Sequence, residues 1–261
     1  MSGAVHVEVD GPVATLVLDH PGRRNALSVA MWEQLRDGAM RLAGDEAVRV
    51  VVLRGAGEEA FASGADISEF EDTRSDATRN RVYDATTAGA TAALVRMEKP
   101  VLALVHGFCL GGGLAVALTA DLRYGADDAS FSIPAARLGI GYNWPGIAGL
   151  VRLVGPSATK RLLFTGSRIS AADALNIGLV DEVLPKAQLD DRVAEVAATI
   201  AANAPLSIRA VKLAVAELAR DPADRDWARV EAAAAACFDS DDFAEGVRAF
   251  LEKRRPHFTG H

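Results

Sequence analysis

Apolar and polar residues follow two periods along this chain, and the repeated switch between them predicts an α/β protein. Val5, Val7 and Val9 alternate with His6 and Glu8, and Val13-Ala-Thr-Leu-Val-Leu18 follows across Asp10-Gly11-Pro12. Two strand-like runs around a turn signal predict a hairpin. His20-Pro-Gly-Arg-Arg-Asn25 reads as a breaker-rich loop, and Ser28 is placed to cap a helix running to about Leu42. Met31, Leu35, Ala39 and Leu42 give that helix its apolar stripe. The continuous runs Val50 to Leu53 and Val101 to Val105 predict buried strands. Between them, residues 71–81 carry no apolar residue except Ala77, which predicts a mobile loop or an exposed helix start, and a lid candidate by position. A helix is expected from about Val82 to Met97, stopped by Pro100. A further helix is expected from Leu114 to Ala120 and a short strand from Ala129 to Ile133. This alternation continues to about Leu184 and favours parallel pairing. From Gln188 the helical period runs almost unbroken, with joints at Pro205 and Asp221-Pro222. The expected division is therefore a core over 1–200 and a helical region over 201–261, packed either on a neighbouring subunit or on its own core.

Composition narrows the choice. A length of 261 residues suits one main domain with an appendage. A net charge of -7 argues against a nucleic-acid partner, which needs a basic face. Cys109 and Cys237 have no CxxC partner, so neither a disulfide frame nor a zinc or other metal site is expected. No signal peptide is visible at the N-terminus. No apolar run approaches the ~20 residues of a membrane helix, so a soluble, cytoplasmic protein with no membrane partner is expected.

Two glycine-bearing stretches carry the candidate chemistry. Phe61-Ala-Ser-Gly-Ala-Asp-Ile67 and His106-Gly-Phe-Cys-Leu-Gly-Gly-Gly113 each follow an apolar run and lead into helical spacing. Turns of this kind leave backbone N–H groups free, and two that converge form a hole for a developing negative oxygen. The plainer account is that the glycines only permit tight turns, but three in a row exceed what a turn requires. Among side chains, His106 reads as a hydrogen-bonded strand end, Cys109 as a small core residue. Asp66 is placed to cap the following helix, Asp121 reads as structural, and Arg137 as a surface charge. Glu69 and Asp72 are near enough to the first turn to reach a pocket if a lid closes.

The ordered set Arg24-Asn25-Ala26-Leu27, Gly64-Ala65-Asp66-Ile67, Gly111-Gly112-Gly113, Asp121, Thr165-Gly166, Gly178-Leu179-Val180 and Phe250-Leu-Glu-Lys253 resembles the crotonase superfamily of acyl-CoA enzymes, the enoyl-CoA hydratases and isomerases. The similarity covers nearly the whole chain. It implies a spiral of ββα turns, a C-terminal helical oligomerisation region, and a homotrimer or dimer of trimers. It also implies an acyl-CoA thioester substrate that brings its own coenzyme A, with no separate cofactor. Carried over by position, the oxyanion donors are the amides of Ala65 and Gly112. The resemblance places Arg24 near the CoA phosphates and Ala26 where backbone meets the adenine. It sets Ala62, Asp66, Ile67 and Leu110 around the substrate, and Phe250 and Lys253 where a neighbour's nucleotide is reached.

One departure changes the expected chemistry. Hydratases of this kind carry one glutamate two residues after the glycine triplet and another directly after the next strand's proline; here those positions are Ala115 and Ala135. A methyl group neither activates water nor delivers a proton. The stretch Tyr142-Asn143-Trp144-Pro145-Gly146-Ile147 resembles the methylmalonyl-CoA decarboxylase branch, where loss of CO₂ itself makes the enolate and Tyr142 would orient a carboxylate or supply a proton. That branch has a histidine where this chain has Ala65 and a carboxylate in place of Ala115, and Tyr142 read plainly fills the acyl pocket. A non-catalytic acyl-CoA binder is the third reading.

Overall fold

The computed structural model of the chain describes residues 2–73, 75–141 and 144–261. β1 (Ala4–Asp10) and β2 (Val13–Asp19) form the expected antiparallel hairpin, with Ala4 opposite Asp19 and Asp10 opposite Val13. Ser28 caps α1 (Val29–Gly44), its hydroxyl accepting from the Met31 amide at 3.3 Å. The chain then repeats one unit three times. A strand in a large sheet passes to a short strand in a small one and on into helix. The first unit is β3 (Val50–Gly55), β4 (Ala60–Ala62), then α2 (Phe70–Thr73) and α3 (Ala77–Val95). The second is β5 (Val101–Val105), β6 (Phe108–Leu110) and α4 (Gly112–Ala117). The third is β7 (Leu122–Ala126), β8 (Ser130–Ser132) and α5 (Trp144–Thr165). After β9 (Ile169–Ser170), α6 (Ala171–Asn176) and β10 (Glu182–Leu184) come α7 (Lys186–Ala201), α8 (Pro205–Leu218), α9 (Trp227–Phe238) and α10 (Asp241–Glu252).

The large sheet has the order β1-β2-β3-β5-β7-β10, parallel from β2 onward; the small one has the order β4-β6-β8-β9. The continuous apolar runs are explained by burial on both faces. Val51, Leu53, Val101, Ala103 and Val105 face a core shared with α1 and α3, through Met31, Leu35, Ala90 and Leu94. Val50, Val52, Leu102 and Leu104 face the other way, against Leu189, Val193, Ala197 and Ala201 of α7. So α7 belongs to the sheet's own core. By contrast α8 to α10 leave Val211, Val215, Phe238, Phe243, Phe250 and Leu251 exposed.

Three local expectations need correcting. The glycine turns do not follow the long strands directly, since β4 and β6 intervene. These are three-residue strands, too short for a period to show. β7 is likewise absent from the pattern reading, because Leu122-Arg-Tyr-Gly-Ala126 mixes a buried arginine with a glycine. Finally, the helix expected from about Val82 begins earlier, and of the two readings of 71–81 the exposed helix start is the one that holds over 77–81. Asp76 caps α3, its carboxylate accepting from the Thr78 and Arg79 amides at 2.8 and 2.9 Å, so the helix starts five residues before Val82.

Candidate active site

Three loops meet at the C-terminal ends of β2, β4 and β6. The first, 20–27, is held by Asn25, in the left-handed region at φ 56°. Its Oδ1 accepts from the His20 amide and its Nδ2 donates to the carbonyls of Ala56 and Ala60. Leu27 and Ala65 then form a parallel bridge, with the Leu27 amide donating to Gly64 O at 2.7 Å and the Asp66 amide to Leu27 O at 2.9 Å. That pairing occupies the Gly64 carbonyl and the Asp66 amide on either side and leaves Ala65's own amide without an acceptor among the described residues.

The third loop enters α4. Gly64 (φ 115°) and Gly111 (φ 50°, ψ -115°) both adopt backbone conformations that a Cβ disfavours. Each turns the following amide away from its own strand. The Gly111 amide is tied back to Ser132 O at 2.8 Å, while Gly112 begins the helix with no intrahelical acceptor for its N–H. A Cβ on Gly112 would stand 3.5 Å from the Ala65 nitrogen, and one on Gly64 3.9 Å from the Gly112 nitrogen. With standard backbone dimensions the two nitrogens lie no more than roughly 6 Å apart, a span two hydrogen bonds to one oxygen can bridge.

The structure brings most of the expected residues to this place. Arg24, at φ 50°, holds Glu59 at 2.7 Å and lies 4.9 Å over the Phe108 ring. The Ala26 carbonyl faces His20 Nδ1 at 2.7 Å. Ala62 is fully buried, and Leu110 is half-buried with its carbonyl against Gly64. Asp66 is buried and caps the turn over Ile67–Glu69: its carboxylate accepts from the Ser68 amide and hydroxyl and from Arg23. Burial pushes its pKa up, but the Ser68 hydrogen bonds and the Arg23 charge outweigh that and hold it below the usual carboxylate range. It is an anion at neutral pH and donates no proton. Ile67 is exposed at the rim. Phe250 and Lys253 stand apart on α10, Phe250 exposed and Lys253 at the helix's left-handed cap. Tyr142 lies outside the described residues, as does the side chain of Asp72.

The neighbouring side chains are spoken for. Glu69 reaches α1 instead of a pocket, accepting from the Val29 amide at 2.9 Å. His106 sits at 2.6 Å from Asp190 on α7. Cys109 is fully buried, which pushes its thiol pKa well up and leaves it inert. Asp121 accepts from the Val101 amide and from Lys212, and Arg137 reaches the Thr165 carbonyl at 3.2 Å. Ala115 and Ala135 are half-buried, Ala115 on α4 and Ala135 just after Pro134. Arg23 is a residue the pattern reading missed; beside Arg24 in one loop, nothing in sequence says which of the two turns inward.

A family model described as enoyl-CoA hydratase/isomerase matches residues 8–261. The chain belongs to that family. The crotonyl-CoA hydratase of Syntrophomonas wolfei is 34% identical over 252 residues, spanning 97% of this chain and 96% of that one. The methylmalonyl-CoA decarboxylase of Escherichia coli is 32% identical over 260 residues, 98% of each chain. A crystal structure from Magnetospirillum magneticum, titled an enoyl-CoA hydratase/carnithine racemase, superposes with a TM-score of 0.93 at 36% identity, over 99% of this chain and 96% of that one. The three ββα units and the helical C-terminus are thus the crotonase fold, as the motif order implies. No helix among the described residues is long and apolar enough to cross a membrane.

Proposed function

We propose that this family member binds an acyl-CoA thioester and stabilises its enolate between the amides of Ala65 and Gly112. The observation that carries this reading is the pair of N–H groups, without partners among the described residues, on two adjacent loops whose nitrogens lie within roughly 6 Å of each other. Both are fixed by covalent geometry before substrate arrives, so they respond to developing charge without reorganising. Gly112→Pro tests this. Proline is tolerated at the first residue of a helix and removes the donor. Turnover of the thioester is expected to fall by about 10²–10³, the usual loss for one oxyanion donor. Unchanged turnover in a folded variant rules the hole out.

The reaction that makes the enolate is proposed as decarboxylation or another step that needs no glutamate pair. Alanine at 115 and 135 supports it, as does the similarity to a methylmalonyl-CoA decarboxylase. The bond from the α-carbon to the carboxylate breaks, CO₂ leaves, and the electron pair passes to the thioester oxygen. A proton then returns to the α-carbon, with Tyr142 as the proposed donor. Incubation with enoyl-, β-oxo- and malonyl-type thioesters, followed by mass spectrometry, distinguishes this from hydration and from mere binding. The same reading makes the protein a homotrimer or a dimer of trimers. Phe238, Phe250 and Leu251, exposed beside one groove on α9 and α10, supply an apolar face for it.

A further inference from the structure

The oxyanion loops have a third neighbour, on α1. Trp32 is 2% exposed, and its indole nitrogen is buried with no hydrogen-bond partner among the described residues. Buried indole N–H groups ordinarily find an acceptor. The ring stands against the glycine triplet: its Cζ2 atom would be 3.1 Å from a Cβ on Gly112, the same point that lies 3.5 Å from the Ala65 nitrogen. Cζ2 and Nε1 share one edge of the indole and project their hydrogens to the same side. The edge that carries the orphaned donor is therefore the edge of the ring that lies nearest Gly112.

We propose that Trp32 is a specificity-determining residue whose N–H donates to a second oxygen on the acyl group of the bound thioester. This rests on the acyl-CoA reading and adds the substrate class: an acyl-CoA with a hydroxyl, oxo or carboxylate oxygen close to the thioester carbonyl. A carbonyl oxygen has two lone pairs, and the Ala65 and Gly112 amides take both. The acceptor left for Trp32 is another oxygen. With alanine at 115 and 135, neither glutamate position offers a side chain to hold such a group. A plain hydrocarbon chain would leave the indole N–H dry and unpaired, and sites with a buried polar group discriminate strongly against ligands that lack its partner.

The test compares the native protein with Trp32→Phe, which keeps most of the ring volume and deletes the donor. Affinities are measured by calorimetry for butyryl-CoA, 3-hydroxybutyryl-CoA, acetoacetyl-CoA and methylmalonyl-CoA. The native protein is expected to prefer at least one oxygenated ester over butyryl-CoA by about tenfold or more, and the variant to retain less than about threefold of that preference. On ¹⁵N-indole-labelled native protein, the Trp32 N–H resonance, assigned by elimination with W144F and W227F, should move downfield with that ester and not with butyryl-CoA. The spectrum decides the matter even if W32F does not fold. The proposal is overturned if W32F weakens all esters equally, if it weakens none, or if the resonance stays put while an oxygenated ester binds. If no ester binds the native protein, the acyl-CoA reading itself fails, a different result from binding without preference.

Discussion

At the scale of single residues, small size carries as much information here as charge. A Cβ on Gly113 would fall 2.4 Å from Ala62 O and 2.7 Å from Ala62 Cβ, so α4 and β4 meet only because residue 113 has no side chain. Gly113→Ala should cost about 1–3 kcal/mol by overpacking. Gly149→Ala, on an exposed helical position with nothing within 4 Å, should gain about 0.5–1 kcal/mol. Urea unfolding of the pair checks both signs, and a neutral Gly113→Ala would mean that β4 moves freely. Ala115 and Ala135 make the complementary case. Introducing Glu at both should raise hydration of crotonyl-CoA by about 10²-fold or more if the remaining site matches that of a hydratase, since positioned acid–base groups are worth that much. Hydration by the native protein at an equal rate would show that another group already does the work. These residues were legible in sequence because the chemistry is borne by glycine, alanine and backbone at fixed spacing. Trp32 and Arg23 were not. An indole on an apolar helix stripe reads as core, and only the three-dimensional structure shows that its nitrogen has no partner among the described residues.

At the scale of elements, the long strands other than β7 and most long helices are plain in the pattern; of the short strands β8 is legible, within the run Ala129 to Ile133, while β4 and β6 are not. β4, β6 and β8 are three residues each, and their pairing is fixed by the turns around them, not by any period of their own. What locks the layers is equally non-local. Asp190 on α7 accepts from Arg54 of β3 at 2.6 Å and from His106 at the end of β5 at 2.6 Å, tying the helix across two strands. Burial works against this carboxylate's charge, but the His106 hydrogen bond and the Arg54 charge outweigh it and hold its pKa below the usual range. A carboxyl depressed in the folded state contributes stability that is present above its unfolded pKa, about 3.9, and lost as pH falls through the folded value. Asp190→Asn should therefore lower Tm at pH 7, and its gap from the native protein should narrow as pH drops below about 4. A gap of constant size across that window would assign the loss to packing instead of charge.

At the scale of the whole molecule, the last residues tie the helical region to the sheet. On α10 the acids Asp242 and Glu245 are buried, while Phe243, Val247, Phe250 and Leu251 are exposed. The acids' partners lie up to 18 residues away, which no local period reveals. Asp242 accepts from the amides of Thr259 and Gly260 at 2.6 and 2.9 Å, and Glu245 from the His257 amide at 2.9 Å. Arg254 and Arg248 also bond to Glu245 and, with the His257 amide, hold its pKa far below the carboxylate range. Arg49, just before β3, donates to Phe258 O at 2.6 Å and to Ala201 O at 3.0 Å, so the tail joins α10, the end of α7 and the sheet. Removing Phe258–His261 strips Asp242 of both amide donors and Arg49 of one acceptor, leaving a buried carboxylate without its partners. Hydrogen exchange should then speed up over 241–252 by about tenfold or more while β3 and β5 stay protected, because local opening draws on local contacts. Light scattering should show a smaller assembly, since the apolar face proposed to join subunits is carried by the helix that the tail holds in place. Unchanged exchange across α10 in the shortened protein would mean that α9 alone positions it, and the tail would then be an ornament of the fold with no part in assembly.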